Sequence, residues 1–168
     1  AGSGSRSSAD AHATGSNFAD DNPPFWYSFA YGPVKFVVLC TEHDVSQGSR
    51  QYEWLQATLQ AVDRCATPWL VVLQHRPMYV VFPHKSNVIV GDHLRDFLEG
   101  LFLEYKVDLV LSGHVHSNFR TCSVAHMACT PDGSGITHIV MGTGGHKLSE
   151  IEDEQRLWMR SAVLDHGF

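Results

Sequence analysis

Three histidines follow closely on two predicted strands, and their ring nitrogens are the groups in this sequence best suited to chemistry. His75 lies two residues past the apolar run 69–73, and Gly113-His114-Val115-His116 follows the run 107–111. Imidazole is the commonest side-chain metal ligand, and its nitrogen suits zinc and iron. The pattern therefore predicts a metal site, although a histidine at a strand end can also be a purely structural, hydrogen-bonded residue.

The elements that must position these histidines alternate between strand and helix. The short, β-branched apolar run 34–40 predicts a strand buried on both faces, 69–73 predicts a second buried strand, and 107–111 predicts a third strand. Apolar residues at helical spacing predict one helix after Gly48-Ser49 and a second over 92–105. This order predicts right-handed crossovers and a parallel sheet. Because ligands bind beyond the carboxyl ends of parallel strands, all three imidazoles are expected at one sheet edge.

The remaining segments complete an α/β fold of the form βαβαβ followed by antiparallel hairpins. Runs at 119–124 and 136–141 flank a turn at Pro131-Asp132-Gly133, and a strand-like run at 158–164 follows. Residues 1–22 are small and polar and predict a flexible arm or loop, which leaves 23–168 as the folded part. The sequence stops directly after the last predicted strand, so we expect it to be part of something longer.

Composition narrows the classes of function. A chain of 168 residues with 43% apolar residues is typical of one globular domain. The net charge of −6 argues against a nucleic-acid partner. No run approaches the roughly 18 to 20 apolar residues of a membrane span. The four cysteines form no C-x-x-C pair, which argues against a structural zinc site, and Cys122 and Cys129 could form a disulfide around the predicted hairpin.

Other motifs favour structural roles. Thr41-Glu42-His43-Asp44 resembles an acid–base cluster but stands at a strand end, where such residues also satisfy turn backbone. The run 142–145 is rich in glycine but lacks the Lys-Ser/Thr ending and the strand–loop–helix context of a phosphate loop. The four tryptophans are predicted to be core residues; they are Trp26, Trp54, Trp69 and Trp158.

Five motifs together, in this order and spacing, resemble the latter half of the plant-type purple acid phosphatases, which are calcineurin-like metallophosphoesterases. The motifs are Trp26-Tyr27-Ser28-Phe29, Tyr31-Gly32-Pro33-Val34, Thr41-Glu42-His43-Asp44, His75-Arg76-Pro77-Met78-Tyr79 and Gly113-His114-Val115-His116. The resemblance runs from about residue 25 to residue 168. It implies the C-terminal portion of a β-sandwich flanked by helices, and a phosphate monoester as the substrate.

The resemblance also implies a role for each histidine. His75 and His114 would bind a divalent ion (Zn²⁺, Mn²⁺ or Fe²⁺) and His116 a ferric ion, which together form a dinuclear centre. Two such cations hold phosphate oxygens and activate a water molecule. His84 is the candidate for phosphate binding or proton donation, with Lys85 as a second positive charge. The family resemblance further suggests an extracellular or vacuolar/lysosomal location.

The chain departs from the family pattern in what it lacks. The motifs that supply the Asp, Tyr and Asn ligands are absent from this sequence, so we expect the missing N-terminal half of the domain to be a partner. The isolated chain is predicted to be inactive and poorly soluble, because its sheet would expose an edge and an apolar face. The alternative is a non-catalytic module used for binding or assembly, which the changes at Gln74 and Asn118 favour. A mononuclear histidine-rich metal carrier is a third, weaker hypothesis.

Overall fold

The computed structural model describes residues 22–81, 84–149 and 156–167, and only the backbone of Lys85. Most of the predicted 1–22 arm therefore lies outside the described residues. Within them, eight strands form one mixed sheet in the order β1-β2-β3-β4-β7-β5-β6, and β8 also pairs with β5. The strands are β1 (Tyr27–Tyr31), β2 (Val34–Val38), β3 (Trp69–Gln74), β4 (Leu109–Ser112), β5 (Asn118–Ala125), β6 (Ala128–Cys129), β7 (Ile136–Met141) and β8 (Met159–Val163).

The predicted parallel sheet is confirmed. Strands β2, β3, β4 and β7 run parallel to one another, and the strands after residue 117 add antiparallel pairs between β5 and β7, β6 and β8. The Cys122–Cys129 disulfide is also present and joins β5 to β6. Strand β1, which pairs antiparallel with β2, was not predicted.

The first helix begins where the sequence indicated. Helix α1 (Arg50–Gln60) has Ser49 as its N-cap, whose hydroxyl accepts a hydrogen bond from the backbone N–H of Tyr52 at 3.2 Å. Its buried side chains include Trp54, Leu55 and Leu59.

The second helix begins seven residues earlier than the predicted 92–105. It comprises α2 (Lys85–Leu94), a π-helical turn (Arg95–Glu99) and α3 (Gly100–Glu104). The β-branched run 88–90 and Gly91 are weak helix formers, which conceals this start. Packing explains the glycine, because a Cβ at Gly91 would lie 3.0 Å from the Met78 carbonyl oxygen. No helix among the described residues is long and apolar enough to cross a membrane.

One face of the sheet carries the core, and the predicted burial on both faces is only partly met: on the other face Val71 is buried, whereas Trp69 is exposed. Val37, Leu70, Val72 and Val110 are fully buried and pack in one core with buried apolar residues of the helices, such as Leu55 and Phe102. Alternate residues on the same strands point to the opposite face, where Trp69 is 56% exposed. Trp69 is thus not a core residue, whereas the other three tryptophans are buried as predicted.

Within the residues that the structure describes, the opposite face is an apolar surface without a covering layer, as the sequence led us to expect. Its side chains come from β2, β3, β4 and β7 and line one shallow depression; they include Val34, Phe36, Trp69, Leu109, Leu111 and Ile139. The described residues thus form one sheet with helices on a single face, which is one layer of the expected sandwich.

Candidate metal centre

Two neighbouring parallel strands end side by side and deliver the first two histidines. Gln74 at the end of β3 is the register partner of Ser112 at the end of β4. One residue further on, the Gly113 N–H donates to the His75 carbonyl oxygen at 3.0 Å, which extends the ladder past the strands. His114 then turns back with a φ of 64°, a left-handed conformation that is uncommon for a residue with a Cβ. Strained backbone of this kind is typical of functional sites.

The His75 and His114 rings meet edge to face. Their centroids are 4.9 Å apart at an interplanar angle of 81°, and Nε2 of His75 lies 3.0 Å from Nδ1 of His114. These two nitrogens face each other, and a single cation could bind to both of them if the rings moved slightly apart. In the absence of a cation, one nitrogen must donate a hydrogen to the other.

Two polar groups lie against the other ring nitrogen of His114. Its Nε2 is 3.1 Å from the amide oxygen of Asn87, on α2, and 3.3 Å from Nη1 of Arg76. Arg76 also donates through Nε and Nη2 to the two carboxylate oxygens of Glu42, at 2.6 and 3.0 Å. Burial, and then the positive charge of Arg76, lower the pKa of His114. The imidazole is therefore held in the neutral form that binds metals.

The carboxylate of Glu42 serves Arg76 and does not face the histidine pair as a base. The hydrogen bond from Arg76 holds the pKa of Glu42 below its ordinary value. Thr41 also accepts a bond from the Arg76 backbone N–H at 3.0 Å. His43 packs against the rings of Phe25 and Trp26. These contacts support the predicted structural role of the motif at the floor of the site, and the ion pair of Glu42 with Arg76 was not predicted.

The third histidine lies in a second environment. Nδ1 of His116 is 2.9 Å from the Lys147 carbonyl oxygen, which requires a hydrogen on Nδ1 and leaves Nε2 as the bare nitrogen. The His116 N–H also donates to the Ser149 hydroxyl at 3.2 Å. The ring of His146 lies 4.7 Å away, inclined at 72°. His116 is thus oriented by the glycine-rich segment 142–149, whose His146 the sequence analysis had not identified as a neighbour of the site.

Gly142 allows this segment to approach the histidine loop. Its N–H donates to the Ser117 carbonyl oxygen at 3.1 Å, and a Cβ at this position would lie 1.8 Å from the Val115 carbonyl oxygen. Only a glycine fits at this position, and Gly142 therefore serves the packing of the two loops.

His84 stands at the N-terminus of α2. It is exposed, and its Nδ1 lies 2.8 Å from the Ser86 hydroxyl. Its carbonyl oxygen accepts a bond from the Asn87 N–H at 2.8 Å, so His84 is one helical turn from the residue that touches His114. The Lys85 side chain lies outside the described residues.

The donor set fits part of a metal centre. Among the described residues no three His, Cys, Asp or Glu side chains converge as a metal-binding group. The structure brings His75 and His114 together and leaves His116 beside His146. The paired nitrogens of His75 and His114 and the separate nitrogen of His116 are suitable as part of the donor set of a metal centre, but not as a complete one.

The sequence pattern did not identify Arg76 and Asn87 as parts of the site, whereas Glu42 belongs to a motif that was predicted to shape the floor of the site. Arg76 could have been predicted from the sequence, because it follows the candidate ligand His75 directly. Asn87 could not have been predicted, since it lies 27 residues from His114 in the sequence and their contact depends on how α2 packs.

Comparisons with known proteins agree with this architecture. The sequence model of the calcineurin-like phosphoesterases matches residues 13–118. The chain is 35% identical over 161 residues to a probable inactive purple acid phosphatase 1 of Arabidopsis thaliana, covering 89% of this chain and 26% of that protein. It is also 35% identical over 158 residues to the Fe(3+)-Zn(2+) purple acid phosphatase 12 of the same plant, covering 86% of this chain and 33% of that protein.

The structure of purple acid phosphatase PPD1 from yellow lupin (Lupinus luteus) seeds superimposes with a TM-score of 0.78 at 33% identity, covering 84% of this chain and 27% of that one. The chain spans about a quarter to a third of the length of the two relatives named above. The mixed sheet with flanking helices is therefore the calcineurin-like fold in part.

Proposed function

The chain belongs to the calcineurin-like phosphoesterases and resembles the purple acid phosphatases among them. On this basis we propose that it supplies the histidine half of a two-metal centre that hydrolyses phosphoric monoesters. The observation that carries the proposal is the 3.0 Å approach of His75 Nε2 to His114 Nδ1 at the ends of adjacent parallel strands. Parallel sheets bind their ligands at this edge.

Each residue has a defined task in this proposal. His75 and His114 hold the divalent ion (Zn²⁺, Mn²⁺ or Fe²⁺), and His116 holds Fe³⁺ through Nε2, the nitrogen that its bond to Lys147 leaves bare. The two cations, when bound, supply charge stabilisation and an activated water molecule. His84, exposed beside the site, binds the phosphate or donates a proton to the leaving alcohol, and Lys85 adds positive charge.

The uncovered sheet face supports an incomplete domain. We propose that residues 23–168 are the C-terminal part of one domain, preceded by a polar arm or loop at 1–22, and that the N-terminal part covers the apolar surface around Trp69 and supplies the Asp, Tyr and Asn ligands. The Cys122–Cys129 disulfide supports an oxidising compartment, which agrees with an extracellular or vacuolar/lysosomal location.

A second candidate is a non-catalytic module for binding or assembly. It is favoured by the absence of a converging three-residue metal group among the described side chains. Relatives named as probable inactive purple acid phosphatases also occur among the matches.

The test is metal content and para-nitrophenyl phosphate hydrolysis of the intact protein purified from its source, followed by the same assays on recombinant variants. We expect two metal ions per chain and an activity that His114→Ala abolishes. His126→Ala is the matched control, because His126 is exposed beside the opposite end of β5. A wild-type protein with neither metal nor activity would refute the enzyme and support the non-catalytic module.

A further inference from the structure

The ring of His114 is held between two neighbours that demand opposite protonation patterns. An amide oxygen only accepts hydrogen bonds, so Asn87 Oδ1 at 3.1 Å requires a hydrogen on Nε2. A guanidinium only donates, so Arg76 Nη1 at 3.3 Å would require a bare Nε2. A neutral imidazole carries one hydrogen, and therefore only one of the two contacts can be a hydrogen bond at a time.

Either tautomer completes a local network. With the hydrogen on Nε2, His114 donates to Asn87 and presents the lone pair of Nδ1 to His75 Nε2, 3.0 Å away. With the hydrogen on Nδ1, His114 accepts from Arg76 and donates to His75. Only the first arrangement leaves Nδ1 available to a cation between the two rings.

Two features favour the first tautomer. The contact of Nε2 with Asn87 is shorter than that with Arg76, and a bare Nε2 would place its lone pair against a lone pair of Asn87 Oδ1. Arg76 loses little, since Nε and Nη2 remain bonded to the two oxygens of Glu42. The two parallel hydrogen bonds to Glu42 also fix the orientation of the Arg76 guanidinium.

We infer that Asn87 is a positioning residue that holds His114 in the Nε2–H tautomer, so that Nδ1 is the nitrogen presented at the site. The importance of the tautomer for metal binding rests on the proposed function, whereas the tautomer itself does not. Hydrogen-bond partners that orient ligating histidines typically contribute 10- to 100-fold in metal affinity.

The test reads the tautomer directly in the intact, chelator-stripped protein labelled with ¹⁵N-histidine. At a pH of about 8.5, two units above the ordinary imidazole pKa, a long-range ¹H–¹⁵N correlation spectrum distinguishes protonated from bare ring nitrogens. We expect Nδ1 of His114 to be bare in the wild type and protonated in Asn87→Ala, where Arg76 remains as the neighbour of Nε2. Asn87→Asp keeps an acceptor and should keep the wild-type tautomer, and Arg76→Ala should keep it as well.

Ile89→Ala is the matched control, an alanine substitution at an exposed position on the same helix, and should leave the His114 signals unchanged. An Asn87→Ala protein that folds like the control yet keeps Nδ1 bare would overturn the inference. Zn²⁺ titration against a chromophoric chelator is a separate arm. There, Asn87→Ala should bind about 10- to 100-fold more weakly than the wild type. A wild type that shows the expected tautomer but binds no Zn²⁺ would refute the proposed metal centre and support the tautomer assignment.

Discussion

Gly142 is the position at which a single methyl group should do the most damage to the candidate centre. A Cβ there would lie 1.8 Å from the Val115 carbonyl oxygen and 2.7 Å from its carbon, whereas real Cβ contacts essentially never fall below 3.0 Å. The backbone between His114 and His116 would have to retreat by about 1.2 Å (3.0 − 1.8), and metal–ligand distances tolerate only about 0.2 Å.

We therefore predict that Gly142→Ala destabilises the protein and displaces the histidine loop. Overpacking costs about 1–3 kcal/mol, and the upper end applies because the obstructing atoms are backbone. For a domain of this size, about 3 kcal/mol lowers Tm by about 6–12 °C. Thermal unfolding of the intact protein measures this effect, and the His116 ring signals should shift as its bond to Lys147 is lost.

Gly144→Ala is the matched control in the same loop. A Cβ at Gly144 would meet nothing within 4 Å, so its stability should stay within about 0.5 kcal/mol of the wild type. If Gly142→Ala and Gly144→Ala unfolded at the same temperature, the close approach of the two loops would be refuted.

Three further predictions concern the interior. His138 is fully buried, and burial lowers its pKa to about 3 from 6.5, so the folded protein holds its neutral form. The free energy of unfolding should therefore fall by up to about 1.4 kcal/mol per pH unit as the pH drops from 6.5 toward 3. His138→Leu should flatten this slope when urea unfolding is measured at several pH values. Tyr79 donates to the buried carboxylate of Glu99, so Tyr79→Phe should cost about 1.5–3 kcal/mol, and much less in a Glu99→Gln background if the bond is the cause. Replacing Cys122 and Cys129 by alanine should cost about 2–3 kcal/mol by the loop-closure relation for so short a loop, and adding reductant should lower the Tm of the wild type but leave that of the double variant unchanged.

The sequence predicted the elements whose signals are local. The apolar run of β3, the N-cap at Ser49 and the turn before β7 are each encoded within a few residues, and all three were confirmed. The start of α2 was missed because its first turns have weak helix propensity and are held by packing against the segment after β3. Strand β1 was not predicted, because its five residues become a strand through their antiparallel pairing with β2, although its aromatic motif was part of the family resemblance.

The burial of the sheet was predicted only in part. A continuous apolar run such as that of β2 indicates two apolar faces, but not what covers each of them. Here the helices cover one face, while Trp69 stands on the other and is exposed in the described structure. The proposed N-terminal part of the domain would cover this face, and in that proposal Trp69 is a core residue of the complete domain.

The sequence by itself determined that His75, His114 and His116 follow strand ends, because strand length and spacing are local properties and parallel strands share an edge. Only the tertiary structure decided which histidines meet and what orients them. The pairing of His75 with His114 follows from the β3–β4 register, the separate environment of His116 from the Gly142 loop, and the contact with Asn87 from the packing of α2. Each of these joins residues distant in sequence, and such contacts are set by packing that no local pattern encodes.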